Sequence, residues 1–399
     1  MELAGLAIAF TLIFVLRLRD FNYAATILIA CLIIGLTSGK SLNIFPDVLR
    51  MTLTDTRTWD ICAAVALITL LGYALKETGM IRKLIGNLRG FLPSRVLVAL
   101  IPAIFGVLSM PGGALISAPF NEPEADRLGL APEQRTFMNV WFRHVWYWAS
   151  PISPSTLLAV SMAGLALRDF ILVNVVLFFA SWVVGFLFSR KFLRGNGEAR
   201  DKERNYLATL QGISPIAAAL ILSFVGVPVW LAVATGIGLV FLVQQVSWGK
   251  ILETLLKGIS WDIVAAVFAT LVFRYMLAST GQITILLREV ISSGVPLMLL
   301  LILVPLLVGA ISGTPAMGIG ICFPLLLPII PAPDIATVTI MFAGITSGYM
   351  ASPLHLCLVL TNQYYKSSLK AVYTYLVPAS FLLYAFALAY HLLLMYLRG

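Results

Sequence analysis

A 21-residue segment occurs twice in this chain, 202 positions apart and without a gap. Trp59 to Gly79 reads WDICAAVALITLLGYALKETG, and Trp261 to Gly281 reads WDIVAAVFATLVFRYMLASTG. Ten positions are identical: Trp59, Asp60, Ile61, Ala63, Ala64, Val65, Tyr73, Leu75, Thr78 and Gly79. The offset holds downstream, where Ala149-Ser150-Pro151 returns as Ala351-Ser352-Pro353, while Ser109 meets Ser312 one residue out of step. Shared ancestry of two halves is the economical account, and a duplication in an apolar chain constrains the fold more than any single residue.

Sixty per cent of the 399 residues are hydrophobic, 11% are charged, and the mean hydropathy is +0.96. Soluble domains carry roughly 25% charge, so the solvent for most of this surface must be lipid. The net charge of +9 does not indicate nucleic acid, because the basic residues lie between apolar runs and form no aromatic-laced stripe. Cys31, Cys62, Cys322 and Cys357 all fall inside apolar segments without a CxxC pair, which reads as packing rather than disulfide or metal chemistry. The run from Leu3 to Leu16 lacks a positive leader and a cleavage site, so it reads as a first membrane helix.

Spanning segments are expected near 2–16, 22–38, 60–77, 136–165 and 169–189, then near 209–226, 228–246, 261–278, 335–363 and 371–396. Segments 95–120 and 294–330 are also apolar, but SMPGG and SGTPAMG break them in the middle. Proline and glycine there cannot continue a helix and each arm is short for a crossing, so both segments read as re-entrant hairpins, with two complete spans joined by a tight turn as the alternative. Five crossings per half then force the halves into opposite orientations. The expected fold is an all-α polytopic membrane protein of about ten transmembrane helices in two inverted repeats. Each repeat holds a re-entrant hairpin and an interrupted helix.

The parts are a scaffold piece at 1–92 and a transport piece at 93–189, joined by a charged linker at 190–206 to a second scaffold piece (207–292) and a second transport piece (293–399). MIRKLIGNLRGF (80–91) and QITILLREVIS (282–292) read equally as interfacial helices or as ordinary surface loops. Nineteen basic residues fall on one side of this topology and six on the other; Arg143 and Arg274 lie within spans. The positive-inside rule therefore sets both termini outside a cell membrane and the linker in the cytoplasm.

Site candidates come from the breaks. The hairpin tips contribute Ser109, Gly112 and Gly113, then Ser312 and Thr314. The interrupted spans contribute Ser150, Ser153 and Ser155, then Ser352 and His355. Each break frees backbone groups at membrane depth, which protein, water or ligand must satisfy. Half-helix N-termini suit an anion, and freed carbonyls and hydroxyls suit Na⁺, with Ser109, Ser150, Ser312 and Ser352 as candidate ligands. No acidic residue is clearly placed at mid-membrane, whereas Arg143 and Arg274 are candidate buried charges. Arg143 is either a substrate ligand or a side chain snorkelling to the interface. Arg274 replaces Gly72 of the first copy and is either a ligand or a strut. His144 and His355 are candidates for a proton relay or for neutral hydrogen bonding. Trp59-Asp60 and Trp261-Asp262 read as interfacial anchors with N-capping aspartates.

With paired tips and breaks in place, the chain resembles the ion-transporter superfamily of secondary carriers, which includes gluconate permeases, dicarboxylate and citrate symporters, and arsenite and Na⁺/H⁺ antiporters. MPGGALISAP is most similar to an uncharacterised family of integral membrane proteins within it. The resemblance implies an elevator mechanism, usually in a homodimer, with substrate held between tips and breaks. Dicarboxylate symporters carry Ser-Asn-Thr at those places, and this chain has SMPGG, SPISPS, SGTP and SPLHL instead, so dicarboxylate specificity does not carry over. The expected function is secondary active transport of a small organic anion coupled to Na⁺ or H⁺, with no other cofactor. A cation/proton antiporter or an inorganic-anion exporter of the same fold is the alternative. No HExxH, GxSxG or Walker motif supports an enzyme or an ATP-driven pump.

Overall fold

The computed structural model describes residues 2–19, 21–108, 112–193, 205–282, 285, 289, 292, 294–330 and 333–396. Among these residues lie nineteen α-helices and no strand. The first half holds α1 (Glu2–Leu18), α2 (Tyr23–Thr37), α3 (Ile44–Thr54), α4 (Thr56–Glu77) and α5 (Met80–Leu88). It continues with α6 (Ser94–Val107), α7 (Gly113–Arg127), α8 (Pro132–Arg143), α9 (Pro154–Ala163) and α10 (Leu167–Ser189). The second half holds α11 (Tyr206–Phe224), α12 (Val229–Val243), α13 (Trp248–Lys257) and α14 (Trp261–Thr280). After it come α15 (Leu297–Ser312), α16 (Pro315–Leu326), α17 (Ile335–Met350), α18 (Leu356–Tyr365) and α19 (Leu369–Tyr396). Five of them, α4, α10, α11, α14 and α19, are long and apolar enough to cross a membrane, and the chain is a multi-pass membrane protein.

The breaks fall where proline and glycine put them. α6 stops at Val107 and α7 starts at Gly113; α15 stops at Ser312 and α16 starts at Pro315. Gly112 (φ 65°) and Gly313 (φ 74°) adopt the left-handed conformation at these tips, which side-chain-bearing residues rarely tolerate. The span expected at 136–165 divides into α8, a short 3₁₀ turn at Val145–Trp148, an irregular stretch, and α9. Its counterpart at 335–363 divides into α17 and α18 around Ala351 to His355.

The two copies of the repeated span, α4 and α14, pack against each other and run antiparallel. The Ser260 amide, at the start of α14, donates to Thr69 Oγ1 in the later half of α4 at 3.1 Å. At the other end, the Tyr275 hydroxyl donates to Asp55, which precedes α4, at 2.6 Å. The halves also pack crosswise. The second arm of each hairpin meets the helix after the other half's break, α7 against α18 and α16 against α9. Close approach of α15 to α17 depends on glycine: a Cβ on Gly309 would strike the Ile345 backbone, and one on Gly348 the Leu306 carbonyl.

Two sequence readings need correction. Asp60 does not cap its helix, because α4 begins earlier, at Thr56, and Asp55 accepts from the Arg57 amide at 3.0 Å. Asp262 lies inside the first turn of α14 behind Ser260, although Trp59 and Trp261 are exposed as anchors should be. Short helices α3 and α13, which the apolar-run reading passed over, precede the repeated span in each half. Segment 80–91 does contain a helix, α5; most of 282–292 lies outside the described residues.

Candidate functional site

Arg143 ends α8 and is 5% exposed, so it does not snorkel to the interface. Its Nη1 donates to the Phe105 carbonyl at 3.0 Å, in the last turn of α6. Its guanidinium occupies the place that a Cβ on Gly113 would take, and its carbonyl the place of a Cβ on Gly106. The end of α8 is thus pressed between both arms of the first hairpin; at Gly106 the obstacle is backbone and only glycine fits, whereas at Gly113 a Cβ would displace the Arg143 guanidinium. Gly113 opens α7, where free amides and the helix dipole are already positive. A buried guanidinium beside that terminus concentrates positive charge, which an anion relieves.

The two interrupted spans differ. Ser150 Oγ, Ser153 Oγ and Thr156 Oγ1 are buried and have no hydrogen-bond partner among the described residues. A buried hydroxyl left unpaired costs about 1–3 kcal/mol, so these three oxygens are available to a water or a ligand. Ser155 is buried in the first turn of α9. At the second tip and break, Ser312, Thr314 and Ser352 are instead paired with backbone groups, although Ser347 in α17 is buried without a partner. Ser312 Oγ donates to the Gly309 and Thr314 carbonyls at 3.2 and 3.0 Å. Thr314 Oγ1 accepts from the Met317 amide at 3.3 Å. Ser352 Oγ donates to the Ala310 carbonyl at 2.5 Å and accepts from the Leu354 amide at 3.0 Å. Ser109 lies outside the described residues.

His355 crosses to the other half. Its Nε2 lies 3.2 Å from Nε2 of His144, the residue after Arg143, and both rings are buried. His144 Nδ1 donates to the Val140 carbonyl at 2.5 Å. The Tyr349 ring lies 4.0 Å from the His355 ring, and the Tyr147 ring 4.8 Å from the His144 ring. Tyr147, Tyr349 and Cys357 were not legible as site residues. Aromatic residues and cysteine in an apolar run look like packing, and only the tertiary fold gathers them.

A second buried network joins the halves beside the first hairpin. Asn139 donates to the Ala114 carbonyl at 3.2 Å and to Thr361 Oγ1 at 3.1 Å, and accepts from Ser117 at 2.8 Å. At the base of the same hairpin Glu124 is fully buried, taking Arg89 Nε at 2.8 Å and Ser94 Oγ at 2.6 Å. Arg274 is apart from this group. It lies over the Tyr275 ring at 5.7 Å and, with Leu277, Phe323 and Pro324, lines a cavity of about 420 Å³ between α14 and α16. Around the equivalent stretch of α4, Thr69, Tyr73, Lys76, Ile116 and Lys257 line a cavity of about 300 Å³.

The fold is of a class found among polytopic membrane transporters. It is similar to the crystal structure of the YdaH transporter of Alcanivorax borkumensis, with a TM-score of 0.62 at 15% identity, over 87% of this chain and 89% of that one. At that identity the likeness concerns the fold alone. The chain belongs to the DUF401 family, described as "Protein of unknown function", whose model matches residues 2–393. Among curated proteins none matches the sequence.

Proposed function

We propose that this protein is a secondary active transporter for a small organic anion. The observation that carries the reading is the buried Arg143 guanidinium against Gly113 at the N-terminus of α7. The anion would sit at this hairpin tip, and the unpaired hydroxyls of Ser150 and Ser153 offer further donors. Na⁺ or H⁺ is the coupling ion. Hydroxyls and freed carbonyls near Ser150, Ser109, Ser312 and Ser352 would take Na⁺, and the His144–His355 pair would take H⁺.

Movement follows from the division of the chain. Antiparallel packing of α4 and α14 supports an inverted repeat, and short α6–α7 and α15–α16 arms support re-entrant hairpins. In the elevator reading, pieces 93–189 and 293–399 form the carrying body, tied by the Asn139–Thr361 bond. Pieces 1–92 and 207–292 form the scaffold and hold a homodimer. The two cavities beside α4 and α14 lie along the gap between those bodies. Both termini lie outside and the linker is cytoplasmic.

A thermal-shift screen tests the binding step. Small carboxylates, sugar acids and inorganic anions, each with and without Na⁺, are added to the purified protein, because a ligand of the native state raises apparent stability. An organic acid should raise the unfolding temperature in the wild type and not in Gly113→Ala. Equal shifts in both proteins would remove the anion site from this tip.

A further inference from the structure

We infer that His144, His355 and Cys357 form a binding site for a d¹⁰ transition-metal cation of the Zn²⁺ type. One ring nitrogen of each histidine and the Cys357 sulfur all lie within 4.8 Å of one another. Nitrogen and thiolate donors with no carboxylate select a borderline or soft cation over Na⁺, Mg²⁺ or Ca²⁺, which require oxygen.

The geometry of the histidines carries the inference. A carbonyl oxygen cannot donate, so the Val140 contact requires the proton on His144 Nδ1. In the neutral ring Nε2 then presents a lone pair, aimed at His355. This backbone bond to the remote ring nitrogen is how metal-ligating histidines are commonly oriented. The two Nε2 atoms stand 3.2 Å apart. A tetrahedral ion with Zn–N bonds of about 2.0–2.1 Å sets two nitrogens roughly 3.3 Å apart. The rings need almost no adjustment, and the Cys357 sulfur, within 4.8 Å, would close on the ion as it binds.

The proton balance also closes. Without metal, His355 Nε2–H donates to His144 Nε2, leaving His355 Nδ1 buried and without a partner at bonding geometry. On metal binding, the ring proton shifts from Nε2 to Nδ1 and frees the Nε2 lone pair for the ion. Cys357 loses its thiol proton to solvent and binds as thiolate. Three protein ligands leave one position of the tetrahedron open to an external ligand. His144 belongs to the first half, and His355 and Cys357 to the second, so the ion would bridge the halves next to Arg143. The site does not depend on the transport reading, since metal binding is measured without transport.

The test uses the full chain purified in detergent, stripped with a chelator and then incubated with Zn²⁺ or Co²⁺. One ion per chain should bind by elemental analysis, and the Co²⁺ form should show tetrahedral visible bands with a thiolate-to-cobalt charge-transfer band. Cys357→Ser should abolish that band and weaken binding by about tenfold or more, and His355→Gln should do likewise. Cys62→Ser should change neither. Metal-free thermal unfolding establishes that the variants are folded; if His355→Gln is not, Cys357→Ser alone decides. Absence of stoichiometric binding, or a charge-transfer band that survives Cys357→Ser, overturns the proposal.

Discussion

The guanidinium of Arg143 stands where a Cβ of Gly113 would have to be. One side chain on α8 thereby locks onto the tip of the first hairpin, and a single methyl group at residue 113 tests the lock. Gly113 has no positive φ, so alanine is conformationally acceptable there and the clash is the whole effect. Gly113→Ala should lower transport or ligand affinity at least about tenfold, the equivalent of about 1.4 kcal/mol, while the protein still purifies as a folded species. Uptake assays alongside thermal unfolding separate the two.

Glu124 predicts a stability effect rather than a transport effect. It is fully buried with Arg89 and Ser94 as partners, so Glu124→Gln leaves the Arg89 charge without its carboxylate. Breaking such a pair from one side costs about 3–5 kcal/mol. Thermal unfolding of Glu124→Gln, Arg89→Gln and the double variant should show the second change costing far less after the first.

Gly309 and Gly348 let α15 and α17 touch backbone to backbone. Gly348→Ala should lower the unfolding temperature, and Gly348→Val should prevent recovery of folded protein. Gly238→Ala, at a helical glycine with open space around it, is the matched control and should be neutral or mildly stabilising.

The topology can be checked at the linker. Gly197→Cys in a cysteine-free background should react with a membrane-impermeant maleimide only after the cytoplasmic face is exposed. Labelling in intact cells would reverse the assigned orientation.

Sequence alone carried the fold a long way because membrane helices announce themselves by length and apolarity, and proline and glycine mark their interruptions. SMPGG and SGTPAMG locate both tips. Helices α3 and α13 escaped because each is short and amphipathic, a pattern that surface loops share. Ser150, Ser153 and Arg143 were legible, as polar groups in apolar runs usually are. Ser312, Thr314 and Ser352 were equally visible, yet their hydroxyls are paired with backbone carbonyls and amides, Ser352 reaching across to Ala310 on α15. The same chemistry that makes serine a ligand makes it a cap. The His144–His355 contact was hidden by a separation of 211 residues, and the counterpart of His355 in the first half is Ser153. No repeat alignment could pair them.

Flux through reconstituted vesicles tests the central claim most directly. Wild-type protein and Arg143→Gln, each verified as folded by thermal unfolding, are compared for uptake of the anion found in the stability screen, under an imposed Na⁺ or H⁺ gradient. The account predicts saturable, gradient-dependent accumulation by the wild type and its loss in Arg143→Gln. Gradient-independent flux at channel rates, or equal accumulation by both proteins, would contradict it.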